Sequence, residues 1–297
     1  LSRSTDLDLR FPNVSPSREI AMYVQYWNLE CRPFECDYNP RFFFRSRSHQ
    51  AALLKLRYLI DSNKGAGLLI GESGAGKSCL TSFLASELDD RFSPVITLQY
   101  PLLTSRELIA FLAAELGAGE DEVHSDNASL DQLLRNVKTR LSGFRDDGKH
   151  PIVILDDAHL IEDHSVFQTL QLLLNLRHEA PFTVILTGQP ALLTRVAQVP
   201  ALDQRMGVKS LIQPFSREET SRYIEHRLTI AGLQASEIFT AGAIDEIHEL
   251  SGGLPRQVNR LADLALLVGY ADELPQLTAP SVSSVAEEIG IPAGING

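Results

Sequence analysis

Cysteine is scarce: Cys31, Cys36 and Cys79 are the whole set. No two of them form a C-x-x-C pair, and they make no disulfide framework. All three read as small apolar side chains in a reducing compartment. Basic residues are outnumbered, with 27 Lys and Arg against 38 Asp and Glu, for a net charge of −11. That balance excludes a surface built throughout to coat nucleic acid and leaves room only for a local basic patch. No apolar run approaches the ~18 residues that a membrane-spanning helix needs. Nothing after Leu1 has the pattern of a signal peptide. The expected compartment is the cytoplasm, and the first residue, not being Met, is expected to follow a trimmed segment. The histidines make no H-E-x-x-H, and no G-x-S-x-G occurs. His159, Asp163 and His164 lack metal-ligand spacing and read as loop residues.

What is present divides the chain by composition. Residues 1–20 are rich in Ser, Pro and charge and read as a flexible lead-in. Residues 21–62 form a linker segment, aromatic and proline-rich at first, then with Leu53, Leu56, Leu59 and Ile60 at helical spacing. Over residues 63–214, strands and helices alternate. "GLLIG", "PVITLQY", "PIVILDD", "FTVILTG" and "GVKSLIQP" read as strands. Several are uninterrupted apolar runs, which suit a parallel sheet covered on both faces. Thr104 with Glu107 and Ser129 with Gln132 have the spacing of capping boxes at helix starts. Residues 215–297 carry helices only, the first opened by Ser216 and Glu219. The fold class is α/β, with a parallel-sheet core followed by an all-helical domain.

Within the core, "GESGAGKS" at Gly71–Ser78 fits G-x-x-x-x-G-K-[ST] between a strand and a helix. Glycines let such a backbone curl so that successive N–H groups face phosphate oxygens. Lys77 adds a point charge, and the Ser78 hydroxyl suits Mg²⁺. The candidate nucleotide-binding residues are Gly71, Glu72, Ser73, Gly74, Ala75, Gly76, Lys77, Ser78 and Cys79. The bland alternative is a glycine-rich turn with an incidental Lys. The strand "PIVIL" ends in Asp156 and Asp157. Beside a phosphate loop, the first carboxylate can hold Mg²⁺ and the second can orient the attacking water. The bland alternative there is a solvated acidic turn. Asn175, on an otherwise apolar helix, reads equally as a buried hydrogen-bonded amide and as a nucleotide-linked switch.

The segment "YWNLECRPFECDYNPRFFFRSRSHQAALLKLRYLID", the phosphate loop, "ILDDAHL", "LLLNLRHE", "LTGQPALL" and "GLPRQVNRLADLAL" together resemble the AAA+ ATPases of the general secretion pathway protein A (ExeA) type. They also resemble the related ATPase subunits of transposition systems, over about residues 22 to 290. The resemblance implies a P-loop NTPase core with a C-terminal helical lid, and ATP and Mg²⁺ as cofactors. It implies that Thr187 (or its neighbour Gln189) occupies the sensor-1 place, and that Arg205 reaches the γ-phosphate of a neighbouring subunit. It places Arg256, one turn before Arg260, as sensor 2, and offers Phe34 and Pro40 to Phe44 as an adenine wrap. An ordinary strand-end Thr, surface arginines and a plain aromatic core stay open beside these roles. Such ATPases usually have Glu where Asp157 stands. The shorter side chain implies slow hydrolysis, because misplacement by about 1 Å can cost ~10²-fold in rate. The implied partners are further copies of the chain and a membrane-linked protein complex. A DNA-associated ATPase, disfavoured by the charge of −11, and a nearly inactive nucleotide-bound scaffold are the other readings.

Overall fold

The structure, a computed structural model, describes residues 22–35, 39–99, 101–119, 129–178 and 180–290. The expected lead-in over residues 1–20 and Cys36 lie outside the described residues. The described chain forms two compact units. One is an α/β unit of residues 39–215 with Leu254–Arg256; the other is a helical unit of residues 22–35, 216–253 and 257–290. The linker segment 21–62 is thus divided between them.

In the α/β unit the elements run α1 (Arg47–Asp61), β1 (Ala66–Ile70), α2 (Lys77–Ser86), β2 (Val95–Leu98), α3 (Ser105–Glu115), α4 (Leu130–Asp146), β3 (Ile152–Leu155), α5 (His164–Asn175), β4 (Thr183–Gly188), α6 (Ala191–Ala197), α7 (Pro200–Asp203) and β5 (Met206–Leu211). The capping boxes at Thr104 and Ser129 are both formed. The five strands lie in the order β2-β3-β4-β1-β5, and every neighbouring pair is parallel.

Every residue of β1, β3 and β4 is buried, whereas the edge strand β5 alternates. That contrast follows from helices covering both faces of the central strands. Because strand side chains alternate in direction, Leu68, Ile70, Val153, Leu155, Val184 and Leu186 join one core, with residues of α3 to α7. Leu69, Ile152, Ile154 and Ile185 join the other, with Leu56, Leu59 and Ile60 of α1 and Leu80 and Leu84 of α2. Phe43 also lies in this second core, its ring stacked on Phe83 at 4.2 Å.

The helical unit contains α8 (Arg217–Ile230), α9 (Ala235–Ile238), α10 (Ala241–Ser251), most of α11 (Pro255–Ala271) and α12 (Ala279–Glu288). Residues 22–35 are tied into it by their aromatic side chains. Trp27 Nε1 donates to the Leu266 carbonyl at 2.9 Å, and the Tyr23 hydroxyl donates to Asp263 at 3.1 Å. Phe34, 1 % exposed, meets Phe239 edge-on. Arg227, itself buried, donates to the carbonyls of Pro33 and Glu35 at 2.7 and 3.0 Å. Such bonds from a buried charge hold a segment firmly, since breaking them would strand the guanidinium. Among the described residues, Cys31 and Cys79 form no disulfide. Among the described residues no helix is long and apolar enough to cross a membrane.

Candidate functional site

The carboxyl ends of β1, β3 and β4 lie side by side, the edge where open parallel sheets build their sites. From β1 the chain passes through Gly71–Gly76 into α2. Gly74 and Gly76 adopt left-handed backbones, with φ of 80° and 92°, conformations that a Cβ makes costly. Gly76 is the N-cap of α2, without a side-chain cap and without an acidic residue in the first turn. The helix therefore offers its first N–H groups and the positive end of its dipole to an anion.

Lys77 is 6 % exposed, and its Nζ donates to the carbonyls of Gly71 and Glu72 at 2.9 and 3.0 Å. Burial draws its pKa below the usual lysine value, and the carboxylates of Asp157 and Asp156 oppose that shift. The ammonium thus sits in a low-dielectric setting, where its attraction for a further anion is strengthened. Glu72, Ser73 and Ser78 are exposed, and Cys79 is half-buried.

Asp156 is buried at the tip of β3. Its Oδ1 accepts from the Thr187 hydroxyl and from the Asp157 N–H, the latter at 3.0 Å. Thr187 reaches it because Leu155 pairs with Leu186 in the ladder between β3 and β4, which sets Asp156 level with Thr187. Asp157 is left-handed at φ 48°, a conformation that Asp accepts more readily than most residues. Its Oδ1 lies 3.7 Å from Nδ1 of His159, a buried nitrogen without a hydrogen-bond partner among the described residues. His159, which spacing alone placed in a loop, stands next to the acidic pair.

Arg256 also comes to the loop. Its N–H donates to the Gly74 carbonyl at 3.2 Å, and a Cβ on Gly74 would stand 2.9 Å from Arg256 Cβ. Arg205 does not. It precedes β5, whose first residue pairs with Ala66 at the start of β1. It is therefore separated from the loop by the length of a five-residue strand, about 15 Å. There it donates to the carbonyl of Ala201 and to Oδ1 of Asn175, each at 2.6 Å. Asn175 is exposed and bonded to Arg205.

The donor chemistry fits Mg²⁺. Ser78 and Asp156 supply hard oxygens, and among the described residues no cluster of three His, Cys, Asp or Glu forms a protein-only cage. Magnesium in phosphate sites is held by one or two such oxygens together with phosphate and water.

Two residues of the site escaped the sequence. His49 and Ser46 lie beneath the loop, with His49 Nε2 at 3.1 Å from the Ala75 carbonyl. The only signal for them was Ser46 at the N-cap of α1, three residues before His49.

These features define a parallel α/β core with a glycine-rich loop, a buried lysine and an acidic strand end along one edge of the sheet. Residues 60–196 match the family described as AAA domain. The chain is similar to General secretion pathway protein A of Aeromonas hydrophila, 31% identical over 273 residues that make up 90% of this chain and 48% of that protein. It therefore spans about half the length of this curated relative. Solved structures bear out the fold. Cdc6p from Pyrobaculum aerophilum superposes with a TM-score of 0.70 at 14% identity, covering 89% of this chain and 72% of that one. The ORC2 protein of Aeropyrum pernix, in ADPNP–ADP complexes, gives a TM-score of 0.66 at 15% identity, covering 88% and 72%.

Proposed function

We propose that the chain binds ATP with Mg²⁺ at Gly71–Cys79, hydrolyses it to ADP and phosphate, and acts as a homo-oligomeric switch. The difference between its two nucleotide states would assemble or remodel a protein partner complex. The observation that carries this reading is the bonding of buried Asp156 to Thr187 at the ends of neighbouring strands, with buried Lys77 at the start of α2 within reach of the Asp156 charge. In this role the loop N–H groups and Lys77 hold the β- and γ-phosphates. Ser78 and Asp156 would hold Mg²⁺, which would supply charge neutralisation at the phosphates. Thr187 keeps the Asp156 carboxylate oriented, and Asp157 orients the attacking water and accepts its proton. Arg256, lying against Gly74, reports the occupancy of the loop as sensor 2.

Arg205 lies too far from its own loop to act there, which supports action on a neighbouring subunit. Such a residue contributes ~10³–10⁵ in rate where it completes a site. The shorter Asp157 makes hydrolysis slow. A secretion-related complex is the partner favoured by the similarity to General secretion pathway protein A.

Mixing tests the reading. Lys77→Ala and Arg205→Ala should each be inactive alone, yet equal mixtures should recover about a quarter of the wild-type rate if subunits pair at random. A mixture as inactive as its components would sink the shared-site reading.

A further inference from the structure

We propose that His49 is a positioning residue for the phosphate loop. Held by Ser46, it anchors the Ala75 carbonyl and thereby aims the Gly76 N–H at the bound phosphate. The inference rests on the nucleotide-binding reading above.

Both side chains are buried, with Ser46 2 % and His49 3 % exposed. His49 Nε2 lies 3.1 Å from the Ala75 carbonyl oxygen. A carbonyl can only accept, so Nε2 carries the proton. Nδ1 is then a bare acceptor, and the Ser46 hydroxyl donates to it at 2.7 Å. The same hydroxyl oxygen accepts from the His49 backbone N–H at 3.4 Å, as the N-cap of α1. The tautomer is therefore set from both ends of the ring. Phe43 and Phe215 flank the imidazole, with ring centroids 6.1 and 5.9 Å away.

The consequence follows from the peptide unit. In a planar trans peptide the C=O and the following N–H point in opposite directions. Drawing the Ala75 carbonyl toward α1 turns the Gly76 N–H to the other side of the loop. Gly76 accepts this orientation only at φ 92°, and a Cβ there would stand 2.9 Å from His49 Nε2. The ring thus leaves no room for a side chain at the residue whose N–H it orients. The aromatic segment around Phe43 gains a role as the frame that holds this ring.

The experiment compares His49→Gln, which can still donate to the carbonyl, with His49→Leu, which fills space and cannot. Affinities for ATP and ADP are measured by competition with a fluorescent ATP analogue, beside thermal melting without nucleotide. His49→Leu should weaken both nucleotides about tenfold, the size of one charge-assisted hydrogen bond, with His49→Gln within about threefold of wild type. Equal affinity for His49→Leu and wild type, or equal loss in both variants, would overturn the proposal. If His49→Leu does not fold, ¹⁵N spectra of the wild-type imidazole decide, with the His49 signals assigned by their absence in His49→Gln. A proton on Nε2 is expected, and one on Nδ1 would overturn it. A wild-type protein that binds no nucleotide would instead remove the underlying reading, and the proposal with it.

Discussion

Substituting Ala for Gly76 asks whether the loop is strained by design. At φ 92° and ψ 18° an alanine loses about 1–2 kcal/mol for a left-handed backbone. The new methyl would also come to 2.9 Å of His49 Nε2, on a ring whose two nitrogens are already bonded to Ser46 and Ala75. Pushing that ring aside forfeits a buried hydrogen bond, worth about 1 kcal/mol. The expected loss is about 2–3 kcal/mol in urea unfolding at pH 7, with an unchanged denaturant slope. Gly143 supplies the opposite case. It lies inside α4, and a Cβ there meets nothing within 4 Å. Gly143→Ala should therefore gain about 0.5–1 kcal/mol. A Gly76→Ala protein as stable as wild type, or the two substitutions shifting the midpoint equally, would refute the argument.

Three further outcomes concern protonation and the acidic pair. His150 is held down at about 4, by burial first and then by the charges of Arg177 and Arg91. Below the ordinary value of about 6.5 the unfolded chain takes up a proton that the folded chain refuses, so stability present at pH 7 falls as pH drops toward 4. The loss should reach about 2–3 kcal/mol after allowance for partial exposure, and His150→Gln should flatten it in urea titrations run at several pH values. Asp157→Asn should abolish hydrolysis while leaving ATP affinity and stability near wild type, since Asn tolerates φ 48° as well as Asp. Asp157→Glu, by contrast, should lower stability by about 0.5–1 kcal/mol in the same urea assay, because the longer side chain suits the left-handed backbone less well.

The strands were legible because "PIVIL" and "FTVILTG" are unbroken apolar runs with no helical period, and both lie buried in the centre of the sheet. Helix starts were legible where a capping box marks them, as at Thr104 and Ser216. The end of the helix after the phosphate loop, at Ser86, carries no such mark in the sequence. The alliance of Tyr23 and Trp27 with α11 was illegible: partners about 240 positions apart leave no local pattern. His49 escaped for the same reason, because its partner Ala75 lies 26 residues away in the loop after β1. The left-handed Asp157 escaped as well. Its conformation is set by the turn after β3, and it offers a backbone reason for Asp where Glu is usual in the family resembled.

ATP turnover per subunit, measured with Mg²⁺ over a wide range of protein concentration, addresses the nucleotide switch most directly when wild type and Lys77→Ala are run together. Turnover that is low but rises with concentration in wild type, and is absent in Lys77→Ala throughout, is the expected result. A wild-type rate equal to that of Lys77→Ala at every concentration would show that the buried lysine at Gly71–Ser78 serves no hydrolysis in this chain.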